Sequence, residues 1–177
     1  VIESPSSVAL GDAFLCGLAS NQVECVGDLY GHDMPDLVSP YHIDGGDGGI
    51  CAIDSLGVKC WGDSRFGLEG ISAPDVTNVT SLSVTSTLGC LIDQSDIKCW
   101  GTEEALEGQE SPQVVDPVSI GVGNRFACAL GNRGVDCWGE NPYGALTVPS
   151  DLMIDPDGDG YTNQGGLDLF PFDASEW

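Results

Sequence analysis

Apolar and polar residues alternate with a period of two along short stretches of this chain, and turn-forming residues separate the stretches. The alternating segments are Val8-Ala9-Leu10-Gly11, His42-Ile43-Asp44-Gly45, Leu82-Ser83-Val84-Thr85 and Ile120-Gly121-Val122-Gly123. Each is followed by a short apolar arm holding a cysteine, such as Cys51-Ala52-Ile53 or Cys128-Ala129-Leu130. A turn comes next (Asp54-Ser55-Leu56-Gly57, Gly131-Asn132-Arg133-Gly134), then a second arm such as Val58-Lys59-Cys60-Trp61-Gly62. A Gly-rich loop and a Pro-led apolar run, such as Pro35-Asp36-Leu37-Val38, close the unit. Alternation, β-branched residues and frequent turns predict strands. The one helix-like run, Thr102 to Glu107, is short.

The plan repeats four times. The leading cysteines stand at 16, 51, 90 and 128, in steps of 35, 39 and 38 residues. Three or four short strands per unit at this period predict an all-β fold, a β-propeller of four short blades. A single small sheet cannot bury both faces alone, so neighbouring sheets stack and share a core. The propeller is expected over residues 1–150, with blades near 6–40, 41–79, 80–117 and 118–150. A Trp follows the second cysteine at positions 61, 100 and 138, and Val26 takes its place in the first unit. Inter-blade packing explains a repeated Trp on a repeated strand; a ligand-binding aromatic row is the other reading.

All eight cysteines fall into pairs with eight residues between them: Cys16 with Cys25, Cys51 with Cys60, Cys90 with Cys99, and Cys128 with Cys137. When the arms fold so that Ile53 faces Val58, Cys51 faces Cys60 as a close antiparallel pair, near enough to bridge. Each bridge closes a loop of about ten residues and contributes at most roughly 2.5–3 kcal/mol by chain entropy. Zinc prefers closer cysteine spacings and set His partners. His32 and His42 sit near no cysteine pair. Paired cysteines therefore predict disulfides and an oxidising, extracellular or cell-surface location.

The run Gly-Asn-Arg-Phe-Ala-Cys-Ala-Leu, then Gly-Val-Asp-Cys-Trp-Gly-Glu-Asn-Pro-Tyr-Gly-Ala-Leu, resembles the regulator of chromosome condensation repeat. The match is strongest over 120–146, good at 43–68, weaker at 82–101 and 8–31, and covers about 6–150. The cysteines are outside the general family pattern and look like the variant of secreted bacterial members. The resemblance implies propeller blades. It does not carry over the chromatin and small-GTPase role of the eukaryotic namesake. Propellers of the family usually have more than four blades, so the chain either closes a small ring or forms an arc completed by another part of a longer protein.

Charge narrows the partners. Five Lys and Arg stand against 28 Asp and Glu, a formal net charge of −23. Such a surface repels phosphate backbones, which excludes nucleic acid as an expected partner. It attracts divalent cations and keeps the chain soluble in salt. No apolar stretch is long enough to span a membrane as a helix. The sequence opens at Val1 with no signal peptide, and is expected to be a mature protein or a piece of a longer one. Residues 72–88 are rich in hydroxyls and contain the sequon Asn78-Val79-Thr80, a triplet common by chance and expected to stay unmodified in a bacterial protein.

From Ile154 the composition changes. Asp155, Asp157 and Asp159 alternate with Pro and Gly, so three carboxylates converge when the chain curls. Calcium takes six to eight oxygens, including a backbone carbonyl at the seventh loop position, here Tyr161, and a ligand direct or through water from Asn163. The segment is similar to the bacterial thrombospondin type 3 calcium repeat, which continues D-x-F-P-x-D, as Asp168-Leu169-Phe170-Pro171-Phe172-Asp173 does. The spacer Gln164-Gly165-Gly166-Leu167 is about two residues longer than that family's usual spacer, and Gly166 stands at the twelfth position. Asp168, or failing it Asp173, is the expected closing ligand. Residues 151–177 thus form a calcium-binding segment or linker, with calcium the one cofactor.

No catalytic constellation is visible: no nucleophile beside a His motif, and no phosphate-binding loop between strand and helix. The chain is expected to be no enzyme. The leading expectation is an extracellular structural or adhesive module, joined by a calcium-rigidified linker to a further module or the next copy, self-associating into a multimer or fibre. The alternative is a propeller that grips a separate protein through one loop face, as the secreted β-lactamase-inhibitor propellers of this repeat family do. A carbohydrate-binding propeller is a third reading.

Overall fold

The computed structural model describes residues 6–29, 33–62, 73–106, 113–141 and 143–149. Twelve strands form four three-stranded sheets. The first sheet holds β1 (Ser7–Leu10), β2 (Phe14–Ala19) and β3 (Gln22–Gly27). The second holds β4 (His42–Gly46), β5 (Gly49–Asp54) and β6 (Gly57–Gly62). The third holds β7 (Val79–Val84), β8 (Leu88–Asp93) and β9 (Asp96–Gly101). A single helical turn, α1 (Glu103–Leu106), falls inside the helix-like run read from the sequence. The fourth sheet holds β10 (Ser119–Val122), β11 (Phe126–Gly131) and β12 (Gly134–Gly139).

Each sheet is an antiparallel meander whose central strand carries the leading cysteine. The register repeats: Leu18 faces Val23, Ile53 faces Val58, Ile92 faces Ile97, and Leu130 faces Val135. Two-residue turns set it. Ser20-Asn21 and Gln94-Ser95 adopt two successive positive φ angles, whereas after Ser55-Leu56 the positive φ falls on Gly57. The chain is all-β, a propeller of four three-stranded blades. The Pro-led runs are not a fourth strand: 33–41 and 73–78 are extended connections. Their backbone is held to the next sheet's hairpin by the Asp54 and Asp93 side chains and by isolated backbone bonds, such as that from the Tyr41 N–H to the Ile53 carbonyl, and not by a ladder.

The first strands of the sheets pack in series, β1 on β4, β4 on β7 and β7 on β10. No packing of that extent joins β1 to β10 among the described residues. Three apolar layers fill the three gaps. No helix among the described residues is long and apolar enough to cross a membrane.

Candidate interaction surfaces

The eight predicted cysteines pair as expected. Cys16–Cys25, Cys51–Cys60, Cys90–Cys99 and Cys128–Cys137 form one disulfide inside each sheet, between directly facing residues of the second and third strands. Their Cα atoms lie 4.0–4.1 Å apart, the close spacing of a facing antiparallel pair. The leading cysteines of the first three sheets are fully buried. Cys128 is only half-buried.

That difference follows from how the sheets stack. Period-two alternation gives each sheet two faces. One carries the cysteines. The other carries the residue after the second cysteine, which is Trp in three sheets. The Trp face of each sheet packs on the cysteine face of the sheet before it. Trp61, with Ile43, Ile50 and Ala52, covers Phe14, Cys16 and Leu18. Trp100, with Leu82 and Leu91, covers Cys51 and Ile53. Trp138, with Ile120, Ala127 and Ala129, covers Leu88, Cys90 and Ile92. The Trp row is therefore inter-sheet core. Its three indoles are 4–6% exposed, and their N–H groups have no partner among the described residues. The fit is close: a Cβ at Gly89 would stand 2.4 Å from the Trp100 ring.

Polar side chains fix the same stacking. Asp44 on β4 accepts the N–H of Val84 on β7 at 2.8 Å, and the equivalent Ser83 accepts the N–H of Val122 on β10 at 3.2 Å. Burial pushes the Asp44 carboxyl above its ordinary pKa, although the Val84 N–H works against this. Burial likewise lowers the His42 imidazole, against the pull of the Asp44 charge. A further device pins the connections. Asp54, buried, accepts the N–H groups of Val38 and Leu56 and the Lys59 ammonium, which also reaches the Asp36 carbonyl. Asp93 accepts from Thr77, Asn78 and Lys98, and Lys98 also bonds the Asp75 carbonyl. Burial alone would raise Asp54, but Lys59 and the two N–H groups outweigh it and hold the carboxyl low. Lys98 and the Asn78 N–H hold Asp93 down to about 2. Sequence reading missed this device, although its signal is present: Asp and Lys stand five apart across the same hairpin in two successive units.

Both ends of the stack are open. In the first sheet the Trp-face positions are Val8, Leu10, Leu15 and Val26, and they are 56%, 59%, 43% and 65% exposed. In the fourth sheet the cysteine face holds Phe126, Cys128 and Leu130. Leu130 is 43% exposed, whereas its equivalents Leu18, Ile53 and Ile92 are at most 2% exposed. A Cβ at Gly121, where Asp44 and Ser83 stand in the middle sheets, would meet nothing within 4 Å. The chain thus presents one uncovered face of each kind among the described residues. Between the second, third and fourth sheets lies a cleft of 230 Å³ lined by Asp47, Ser86, Thr87, Thr102, Ala105, Asn124 and Arg125.

The expected calcium ligands Asp155, Asp157, Asp159, Tyr161, Asn163, Asp168 and Asp173 lie outside the described residues. Among the described residues no three His, Cys, Asp or Glu side chains gather as a metal site.

Stapled three-stranded blades stacked in series define a β-propeller, and solved structures bear this out. The chain is similar to the CRINKLY ectodomain of an Arabidopsis thaliana receptor kinase (25% identity, TM-score 0.59), over 75% of this chain and 49% of that one. It is also similar to the ectodomain of a Physcomitrella patens receptor kinase (22%, TM-score 0.64), over 82% of this chain and 43% of that one. A third is Prp20p of Saccharomyces cerevisiae (15%, TM-score 0.64), over 82% and 48%, in a study of its binding to Gsp1p and histones. The chain spans about half the length of these propellers. No family model matches it. No curated protein matches either.

Proposed function

We propose that this chain is a non-catalytic, protein-binding propeller module of the cell exterior, with a structural or adhesive role. The observation that carries the reading is the uncovered apolar sheet face at each end of a disulfide-stapled stack. Apolar surface of this kind marks an interaction site, and four disulfides fit an oxidising compartment. The likeness to Prp20p, described as binding Gsp1p and histones, supports protein binding by this architecture. In this reading residues 151–177 bind calcium through Asp155, Asp157, Asp159, the Tyr161 carbonyl and Asn163, closed by Asp168 or Asp173. The ion would stiffen a linker to a further module or the next copy, in a multimer or fibre. Calorimetric titration with calcium, followed by scattering with and without chelator, tests it. Stoichiometric binding, lost in the double variant Asp157→Asn/Asp159→Asn, is expected, together with a change in shape or assembly. A chain whose shape and assembly ignore chelation contradicts the reading.

Recognition of a separate partner through one loop face is the second reading. Tyr143, 96% exposed on the loop after β12, favours it. Its signature is a monomer that captures a partner and loses it on Tyr143→Ala.

A further inference from the structure

The two open faces are the two halves of an interface that the chain already makes three times. Each internal layer joins a Trp face to a cysteine face. The unfilled Trp-type face is on the first sheet (Val8, Leu10, Leu15, Val26), and the unfilled cysteine face is on the fourth (Phe126, Cys128, Leu130). On the first-sheet face Val26, 65% exposed, stands where the other three sheets carry the indole. The aligned part of the chain covers 43–49% of the chains it matches, so two copies supply close to the extent of one such chain.

We infer that a second copy of this chain fills both faces, head to tail. The cysteine face of each copy's fourth sheet takes the Val26 face of the other's first sheet, and the two arcs close one ring. Such a heterologous contact closes when the rotation per copy completes the circle, and otherwise grows into a filament. The inference rests on the protein-binding reading and makes the partner a copy of the chain itself. Its test is run at fixed calcium, so a failed calcium response and a failed assembly are separate results.

The experiment is sedimentation equilibrium of the oxidised full chain over a wide concentration range, with variants on each face. The wild type is expected at twice the 18.4 kDa of one chain. Val26→Asp and Leu130→Asp, each at an exposed position, are both expected to run as monomers that keep a cooperative unfolding transition, its midpoint now independent of concentration. Leu15→Asp provides a second first-sheet variant should Val26→Asp unfold. An equimolar mixture of Val26→Asp and Leu130→Asp is expected to recover two-chain particles, because one interface in the mixed pair keeps both native faces. A wild-type monomer overturns the inference, whatever then covers the faces. A dimer that survives either single variant shows like faces meeting and also overturns it. Mass that climbs without limit overturns the closed pair.

Discussion

At the scale of single residues, the Asp93–Lys98 pair carries the sharpest consequence. Its carboxyl is buried, accepts hydrogen bonds from Thr77, Asn78 and Lys98, and titrates at about 2 instead of its usual 3.8. A folded-state pKa below the unfolded one gives stability that is complete above about pH 4 and is lost as pH falls through 2. The shift corresponds to about 2 kcal/mol. Urea unfolding of wild type and Asp93→Asn at pH 7 and pH 2 checks this: the variant should be less stable at pH 7 and the difference should shrink by about that amount at pH 2. Comparing the two proteins cancels the many surface carboxylates that titrate in both. Packing makes an equally local prediction. Gly89→Ala places a methyl 2.4 Å from the Trp100 ring and should cost about 1–3 kcal/mol, read from the denaturant midpoint. The Trp positions and the cysteines were legible in the sequence because each repeats at one period. The Asp–Lys pins were not read, because a charged pair in a hairpin looks like any solvated surface until the connection it holds is placed over it.

At the scale of the element, each blade is a meander too small to hold a core of its own, and its disulfide compensates. Cys51→Ala/Cys60→Ala should lower stability by roughly 2–5 kcal/mol, measured by thermal or denaturant unfolding under oxidising conditions. Accessibility separates the four leading cysteines. Cys16, Cys51 and Cys90 lie under the next sheet, whereas Cys128 does not. Mild reduction followed by thiol alkylation and peptide mass mapping should therefore label Cys128 before the other leading cysteines. Equal labelling of all four would mean that the fourth sheet is covered. The alternation gave the strands and their facing pairs, since one arm and one turn determine the register. It left three or four strands per unit open, with the Pro-led run closing each unit. The structure uses them as tethered connections, because their backbone groups meet the Asp54 and Asp93 side chains and only isolated backbone partners such as Ile53, and form no ladder.

At the scale of the whole molecule, the sequence left ring and arc as alternatives. Composition cannot decide between them, because the exposure of Val26 and Leu130 depends on how the first and fourth sheets are placed. In the structure that position, with Val8, Leu10 and Leu15, is open, and so is Leu130 at the other end. Burial of these faces would be favourable at roughly 25 cal/mol per Å² of apolar surface, opposed by repulsion between copies that each carry −23. Screening weakens that repulsion, so association should strengthen as salt is raised, which sedimentation at two ionic strengths measures. One chain is thus an arc with both end faces uncovered among the described residues. Single-particle images of the oxidised chain test it most directly. Open four-blade arcs, or rings divided into two such arcs, are the predicted result. A closed four-blade ring made by one copy, with the fourth sheet packed on the first, would contradict it.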